Sequence, residues 1–156
     1  MGQSLSAIYI HAIFGTKNNS SFIDISIEKH LHSYMAGILK NLNSPAIKIN
    51  SVPDHIHILF RMSKSHSISQ IMHVIKRDSS KWMKTQGYRG FRWQIGYATY
   101  SVSQSKLETV SEYIVNQKMH HKKMSFLEEV ESFMDKYNVD QYSRIFSGHK
   151  ISSYLW

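Results

Sequence analysis

Cysteine is absent from the chain. That excludes a disulfide framework and any thiolate metal site, and it suits a reducing compartment; a cytoplasmic location is expected. No run of 18 apolar residues occurs, so no membrane span is expected. The first residues lack the charged and apolar regions of a secretory signal. Acidic residues are scarce: 11 Asp and Glu stand against 19 Lys and Arg, giving a net charge of +8 and a pI near 9.6. A small domain this basic favours a polyanionic partner. Its cations are scattered along the chain and not gathered on one amphipathic helix, which favours nucleic acid over a membrane surface.

What the chain does have is enough apolar material, 42% of its 156 residues, for an ordinary core, and its length suits one domain, or one domain with a helical extension. Its centre is residues 51–62, SVPDHIHILFRM. Alternation predicts a strand here. His55 and His57 then share one face, and Ile56, Ile58 and Phe60 point the other way into a core. Two neutral imidazoles held in parallel on a stiff backbone are a start on a metal site.

The flanking elements follow from the same periodicities. Residues 6–17, SAIYIHAIFGTK, read as a buried first strand, with His11 expected as a hydrogen-bonded histidine within the sheet. Residues 25–42 have helical apolar spacing and stop at Asn43-Ser44-Pro45. Residues 46–52 form a second strand, joined through Pro53-Asp54 to an antiparallel third. Ser67-x-x-Gln70 is a capping-box pattern that opens a helix ending at Gly87. Residues 95–103 complete the order β-α-β-β-α-β. The expected fold is α+β: a ferredoxin-like, RRM-like antiparallel sheet with two helices on one face.

The other face needs a cover, because Leu59 accompanies the histidines there. A helix opened by Ser105-x-x-Glu108, with Leu107, Val110 and Ile114 as its apolar stripe, is the natural candidate. Tyr113 and Gln117 lie four apart beside that stripe. Laid on the histidine face, Gln117 can offer an amide oxygen to a metal, with the Tyr113 phenol about a turn away. Mg²⁺ or Mn²⁺ held there could draw charge from a phosphodiester, and a deprotonated phenol could attack it. Three classes are compatible with these parts: a strand transferase, a metal-dependent phosphodiesterase without a covalent intermediate, and a catalytically decayed nucleic-acid-binding module.

Asp54-His55-Ile56-His57 followed by Tyr113-Ile114-Val115-Asn116-Gln117 resembles the H-U-H single-tyrosine transposases of insertion sequences, the IS-two-hundred-like family. Gly15-Thr16-Lys17, Trp93-Gln94 with Gly96-Tyr97, His120-His121 and Phe126-Leu127-Glu128-Glu129 extend the likeness, which runs from about His11 to Asn138. The resemblance implies cutting and rejoining of single-stranded DNA at hairpin-bearing ends. It implies Tyr113 as the residue that forms a 5′-phosphotyrosine, and His55, His57 and Gln117 as the metal ligands. It also implies a homodimer with composite sites, the tyrosine helix lying on the histidine face of its own chain or swapped across to a partner. The family's loop after Lys17 is often more basic, whereas Asn18, Asn19 and Ser20 are neutral here.

Candidate DNA contacts are Lys17, then Lys76, Arg77 and Lys81 on one helix face. Arg89 and Arg92 follow in the aromatic-rich YRGFRWQ stretch, and Lys118, His121 and Lys122 come after the tyrosine. Phe91 and Trp93 in that stretch are expected to tuck into the core. Residues 126–137 read as a further amphipathic helix. Residues 1–138 are assigned to the transposase-like domain. Residues 139–156, with Tyr154-Leu155-Trp156, are assigned to a tail docking on the domain or on a partner.

Overall fold

Four apolar segments form strands β1 (Tyr9–Gly15), β2 (Ala46–Val52), β3 (His55–Arg61) and β4 (Ala98–Val102). The computed structural model describes residues 2–137. The strands form one antiparallel sheet in the order β2-β3-β1-β4, the ferredoxin-like arrangement. The register sets Ile13 opposite His57, His11 opposite Leu59 and Gly15 opposite His55. Residues that pair across strands share a face. His11, His55 and His57 therefore project together, while Phe14, Ile56, Ile58 and Phe60 project to the opposite side.

Helices α1 (Glu28–Asn41) and α2 (Ile68–Thr85) cover that opposite side. Leu31, Met35, Leu39, Ile71 and Ile75 from the helices join Phe14, Ile56 and Phe60 in one continuous core. Phe91 and Trp93 are buried in it, as their composition predicts. The Ser67–Gln70 capping box forms in both directions. After α1 and α2 the chain turns through left-handed residues, Asn43 at φ 51° and Gly87 at φ 99°, which end each helix.

Strand β1 is shorter than the expected 6–17, running Tyr9–Gly15. Three further boundaries differ from the periodicity, each for a visible reason. Helix α1 starts at Glu28 and not at 25, because the Asp24 carboxylate accepts from the Ser26 and Ile27 amides and holds a turn there. Strand β4 starts at Ala98 and not at 95. The Lys76 ammonium donates to the carbonyls of Gln94, Ile95 and Gly96 at 2.8, 2.8 and 2.9 Å, which curls that segment onto α2. The Ser105–Glu108 capping box does not form. Ser105 Oγ pairs instead with Ser103 Oγ at 3.2 Å in a short 3₁₀ turn, Gln104–Lys106.

The histidine face is covered by α3 (Leu107–Val115), α4 (Gln117–Lys123) and α5 (Phe126–Lys136). Helix α3 brings Ile114 onto Leu59 and Val102. Helix α5, opened by a complete Ser125–Glu128 capping box, brings Phe126, Val130 and Phe133 onto Ile13 and Tyr100. Among the described residues no helix is long and apolar enough to cross a membrane. The tail at residues 139–156 lies outside the described residues.

Candidate active site

Strand alternation places both histidines of β3 on the covered face, and both are fully buried. Each ring is fixed through Nδ1: His55 by Asp54 Oδ1 at 2.7 Å, His57 by His11 Nε2 at 2.8 Å. His11 is thus the hydrogen-bonded sheet histidine its position suggests, and it also orients His57. With Nδ1 engaged, both rings turn Nε2 toward the same place. Glu129 of α5 occupies that place. Its Oε2 lies 3.0 Å from His55 Nε2, and its Oε1 lies 2.9 Å from His57 Nε2. The ligand atoms of His55, His57 and Glu129 all lie within 4.8 Å of one another. Two imidazole nitrogens and a carboxylate at such separations suit a divalent ion.

Tyr113 reaches the same carboxylate, its hydroxyl donating to Glu129 Oε1 at 2.5 Å. Its ring stands 5.9 Å from that of His57 and stacks on His120 at 4.3 Å. Phe126 stacks on His55 at 4.6 Å and closes the other side. Gly15 makes room for that stack, since a Cβ there would sit 2.9 Å from Phe126 Cε1 and 3.1 Å from the Asp54 carbonyl.

The charges follow from burial and contact. Burial works to raise the Glu129 pKa, but its contacts with His55, His57 and Tyr113 outweigh it and hold the carboxyl well below its usual range. Burial would lower His55, yet its contacts with Asp54 and Glu129 raise it overall. Burial keeps His57 and His11 low, and the neighbouring imidazole lowers each further. Burial, then the Glu129 carboxylate, raises the Tyr113 phenol. Such a phenol is a proton donor until charge nearby changes.

Gln117 is fully buried, and neither its amide oxygen nor its nitrogen has a hydrogen-bond partner among the described residues. A buried primary amide left unpaired is costly unless something else occupies it. Its place differs in detail from the sequence expectation. The chain breaks between α3 and α4 at Asn116, so Tyr113 and Gln117 do not ride one continuous helix. Asn50 Nδ2 donates to the Ile114 and Val115 carbonyls at 2.8 and 3.2 Å and fixes that break over β2. The tyrosine helix lies on the histidines of its own chain.

The candidate DNA contacts divide. Lys76 gives its ammonium protons to three carbonyls, and burial pulls its pKa down to about 8. Lys118 pairs with both carboxylate oxygens of Glu28 at 3.1 Å, tying α4 to α1. His121 faces Asp54 and His55, with ring centroids 5.6 Å apart from His55. Lys17, Lys81, Arg89, Arg92 and Lys122 are exposed, and Arg77 is exposed beside Asp78 at 2.7 Å. Arg77, Lys84 and Arg92 line a groove of about 600 Å³ on the α2 side, across the sheet from Tyr113. Glu129 was the residue sequence reasoning missed as a site group. Its signal is a carboxylate on an apolar stripe, three residues after Phe126 and four before Phe133.

The buried face of this antiparallel βαββαβ sheet gathers imidazoles, a carboxylate and a phenol in a strongly basic chain. The chain belongs to the family described as "Transposase IS200 like", whose model matches residues 4–117, well over half its length. It is therefore a transposase, a class of DNA-cleaving and strand-transferring enzymes. The match contains His55, His57, Tyr113 and Gln117 and stops before Glu129. No curated protein matches significantly. Among solved structures, one similar fold is a protein provisionally named a transposase from Deinococcus radiodurans R1. It has a TM-score of 0.60 and 20% identity, with 75% of this chain and 96% of that chain covered. A second is a REP-associated tyrosine transposase bound to a REP hairpin. It has a TM-score of 0.59 and 12% identity, with 78% of this chain and 72% of that chain covered.

Proposed function

We propose that this transposase cuts and rejoins single-stranded DNA at hairpin-bearing ends of an insertion sequence, through a 5′-phosphotyrosine on Tyr113 and with a divalent metal, Mg²⁺ or Mn²⁺. One observation carries the reading: the Tyr113 hydroxyl and the Nε2 atoms of His55 and His57 meet at a single buried carboxylate. His55, His57 and Glu129 would hold the ion, and the unpaired buried amide of Gln117 supports it as a further ligand. A hard dication there supplies the charge that polarises a phosphodiester oxygen.

The chain's own groups do the remainder. Asp54 and His11 keep the imidazoles from turning. The Tyr113 oxygen forms a bond to phosphorus as the bond from phosphorus to the 3′ oxygen breaks. Glu129 orients the phenol through their hydrogen bond. The phenol releases its proton to water as the new bond forms, and the departing 3′ oxygen takes up one proton from water, so the protons balance through solvent. The phosphodiester energy stays in the tyrosine ester, so a second 3′ hydroxyl can reverse the step and join elsewhere. Joining requires two ends held together, which favours a homodimer. The Asn50 and Lys118 bonds support a tyrosine helix working on its own chain's histidines.

The structural relative bound to a REP hairpin supports hairpin recognition here. The exposed Arg77, Lys84 and Arg92 of the α2-side groove are suited to its phosphates, with Lys17, Lys81, Arg89 and Lys122 as further contacts. His121, turned toward His55, and the internally paired Lys76 and Lys118 are less available for that task. The test is incubation with single-stranded copies of the element's ends plus Mg²⁺ or Mn²⁺, followed by a denaturing gel. A protein–DNA adduct that disappears in Tyr113→Phe is the expected result. Cleavage without any adduct would overturn the reading in favour of a hydrolytic phosphodiesterase.

A further inference from the structure

Beside the Tyr113 ring, α3, α4 and α5 enclose a cavity of about 250 Å³ that the chemistry above leaves unused. We propose that this cavity receives one unpaired nucleobase of the substrate strand, that of the nucleotide which stays on the tyrosine after cleavage. The inference rests on the strand-transfer reading and names a subsite within it.

Its walls are Val110, His120, Phe133 and Tyr137, and its rim carries Lys123 and Lys136. The rings already stack on one another in this region: Tyr137 on Tyr100 at 4.9 Å, His120 on Tyr113 at 4.3 Å. Aromatic faces with cations at the edge match a flat, π-rich base joined to an anionic backbone. The volume falls just under the roughly 300–1,000 Å³ of pockets for drug-sized ligands, so it suits a single base and not a dinucleotide. The base is an unpaired one, because a base in a duplex has neither face free to stack on a side chain.

The side of the cut follows from the geometry of displacement. The phenol oxygen enters in line with, and opposite to, the departing 3′ oxygen. The cavity lies on the Tyr113 side, where its wall is the nucleophile's own ring. The upstream nucleotide departs away from that side. The downstream nucleotide remains on the phosphorus that Tyr113 holds, and its base is the one within reach of the cavity.

The test uses the full chain carrying Tyr113→Phe, so that strands are bound and not cut. Single abasic sites are scanned along a single-stranded copy of the element's end, with affinity read by anisotropy. A second protein adds Thr109→Leu and Ser132→Met, which fill the cavity from exposed positions on α3 and α5. One abasic position should weaken binding about tenfold, the order of one lost base stack, and should cost nothing further in the filled variant. Adduct mapping with the unmodified chain should place that position immediately 3′ of the cut. The proposal is overturned if no position behaves so, if the filled variant loses as much at that position, or if the position lies 5′ of the cut. Loss of the adduct alone would count against the strand-transfer reading, while the abasic scan would still report on the cavity.

Discussion

The two faces of the sheet carry opposite chemistry on the same four strands. The α1–α2 face is one continuous apolar core built on Phe14, Ile56, Ile58 and Phe60. The α3–α5 face has two small apolar patches, and between them lie His11, His55, His57 and Glu129, all buried. Each face has its own source of stability. The first rests on area removed from water. The second combines two apolar patches with a polar cluster in which Glu129 engages His55 and Tyr113, while the Gln117 amide stays unpaired among the described residues. A sheet anchored on one side can carry costly, reactive groups on the other, because the anchored side fixes where those groups point.

The comparison breaks if substitutions on the two faces behave alike. Tyr113→Phe should show the largest effect on activity: adduct formation falls to background while thermal unfolding shifts little, read by gel and by circular dichroism. On the opposite face, Ile58→Ala should cost about 2–5 kcal/mol of stability through a core cavity, measured by denaturant unfolding. His57→Ala, one residue away, should abolish metal-dependent cleavage at a smaller cost to unfolding. Equal unfolding losses in these two variants would erase the distinction.

Glu129→Gln should weaken Mn²⁺ binding by more than the roughly 10- to 100-fold that loss of an outer-shell partner costs, measured by calorimetry on the protein alone. The same carboxyl has a pH signature in the metal-free protein. Its folded pKa is depressed, so its contribution to stability is present above the unfolded value of about 4.3 and is lost as pH falls below it. Melting curves from neutral pH into the acid range should show that loss in the wild type and a shallower one in Glu129→Gln. Gly15→Ala should cost about 1–3 kcal/mol of stability by overpacking against Phe126. Thermal unfolding checks it, since the clash falls on the packing of Phe126 over His55.

Much of the sheet was legible because its signal is local. Alternation in β3 alone sent Ile56, Ile58 and Phe60 to one side and both histidines to the other. The capping box at Ser67 and the turn residues Asn43 and Gly87 marked helix ends for reasons confined to a few residues. The same kind of pattern misled at Ser105, whose hydroxyl found a nearer partner in Ser103. The spacing of Tyr113 and Gln117 assumed a continuous helix, and the Asn50 amide, some 64 residues away in sequence, holds a break there. Glu129 lies on the apolar stripe of α5, a position that asks for a buried partner without saying which. Lys76 instead reads with the basic face of α2, yet it is turned to the carbonyls of residues 94–96.

The sequence by itself determined the basic charge, the strand and helix order, and the shared face of His55 and His57, because periodicity and composition act over a few neighbouring residues. Only the tertiary structure decided that Glu129 would enter from α5 to touch both imidazoles and the phenol. It also decided that His11 would orient His57 and that Lys76 and Lys118 would be taken up by internal partners. Those pairings join positions from 16 to 90 residues apart. No local rule reaches that far; packing of the second layer on the sheet selects the partner.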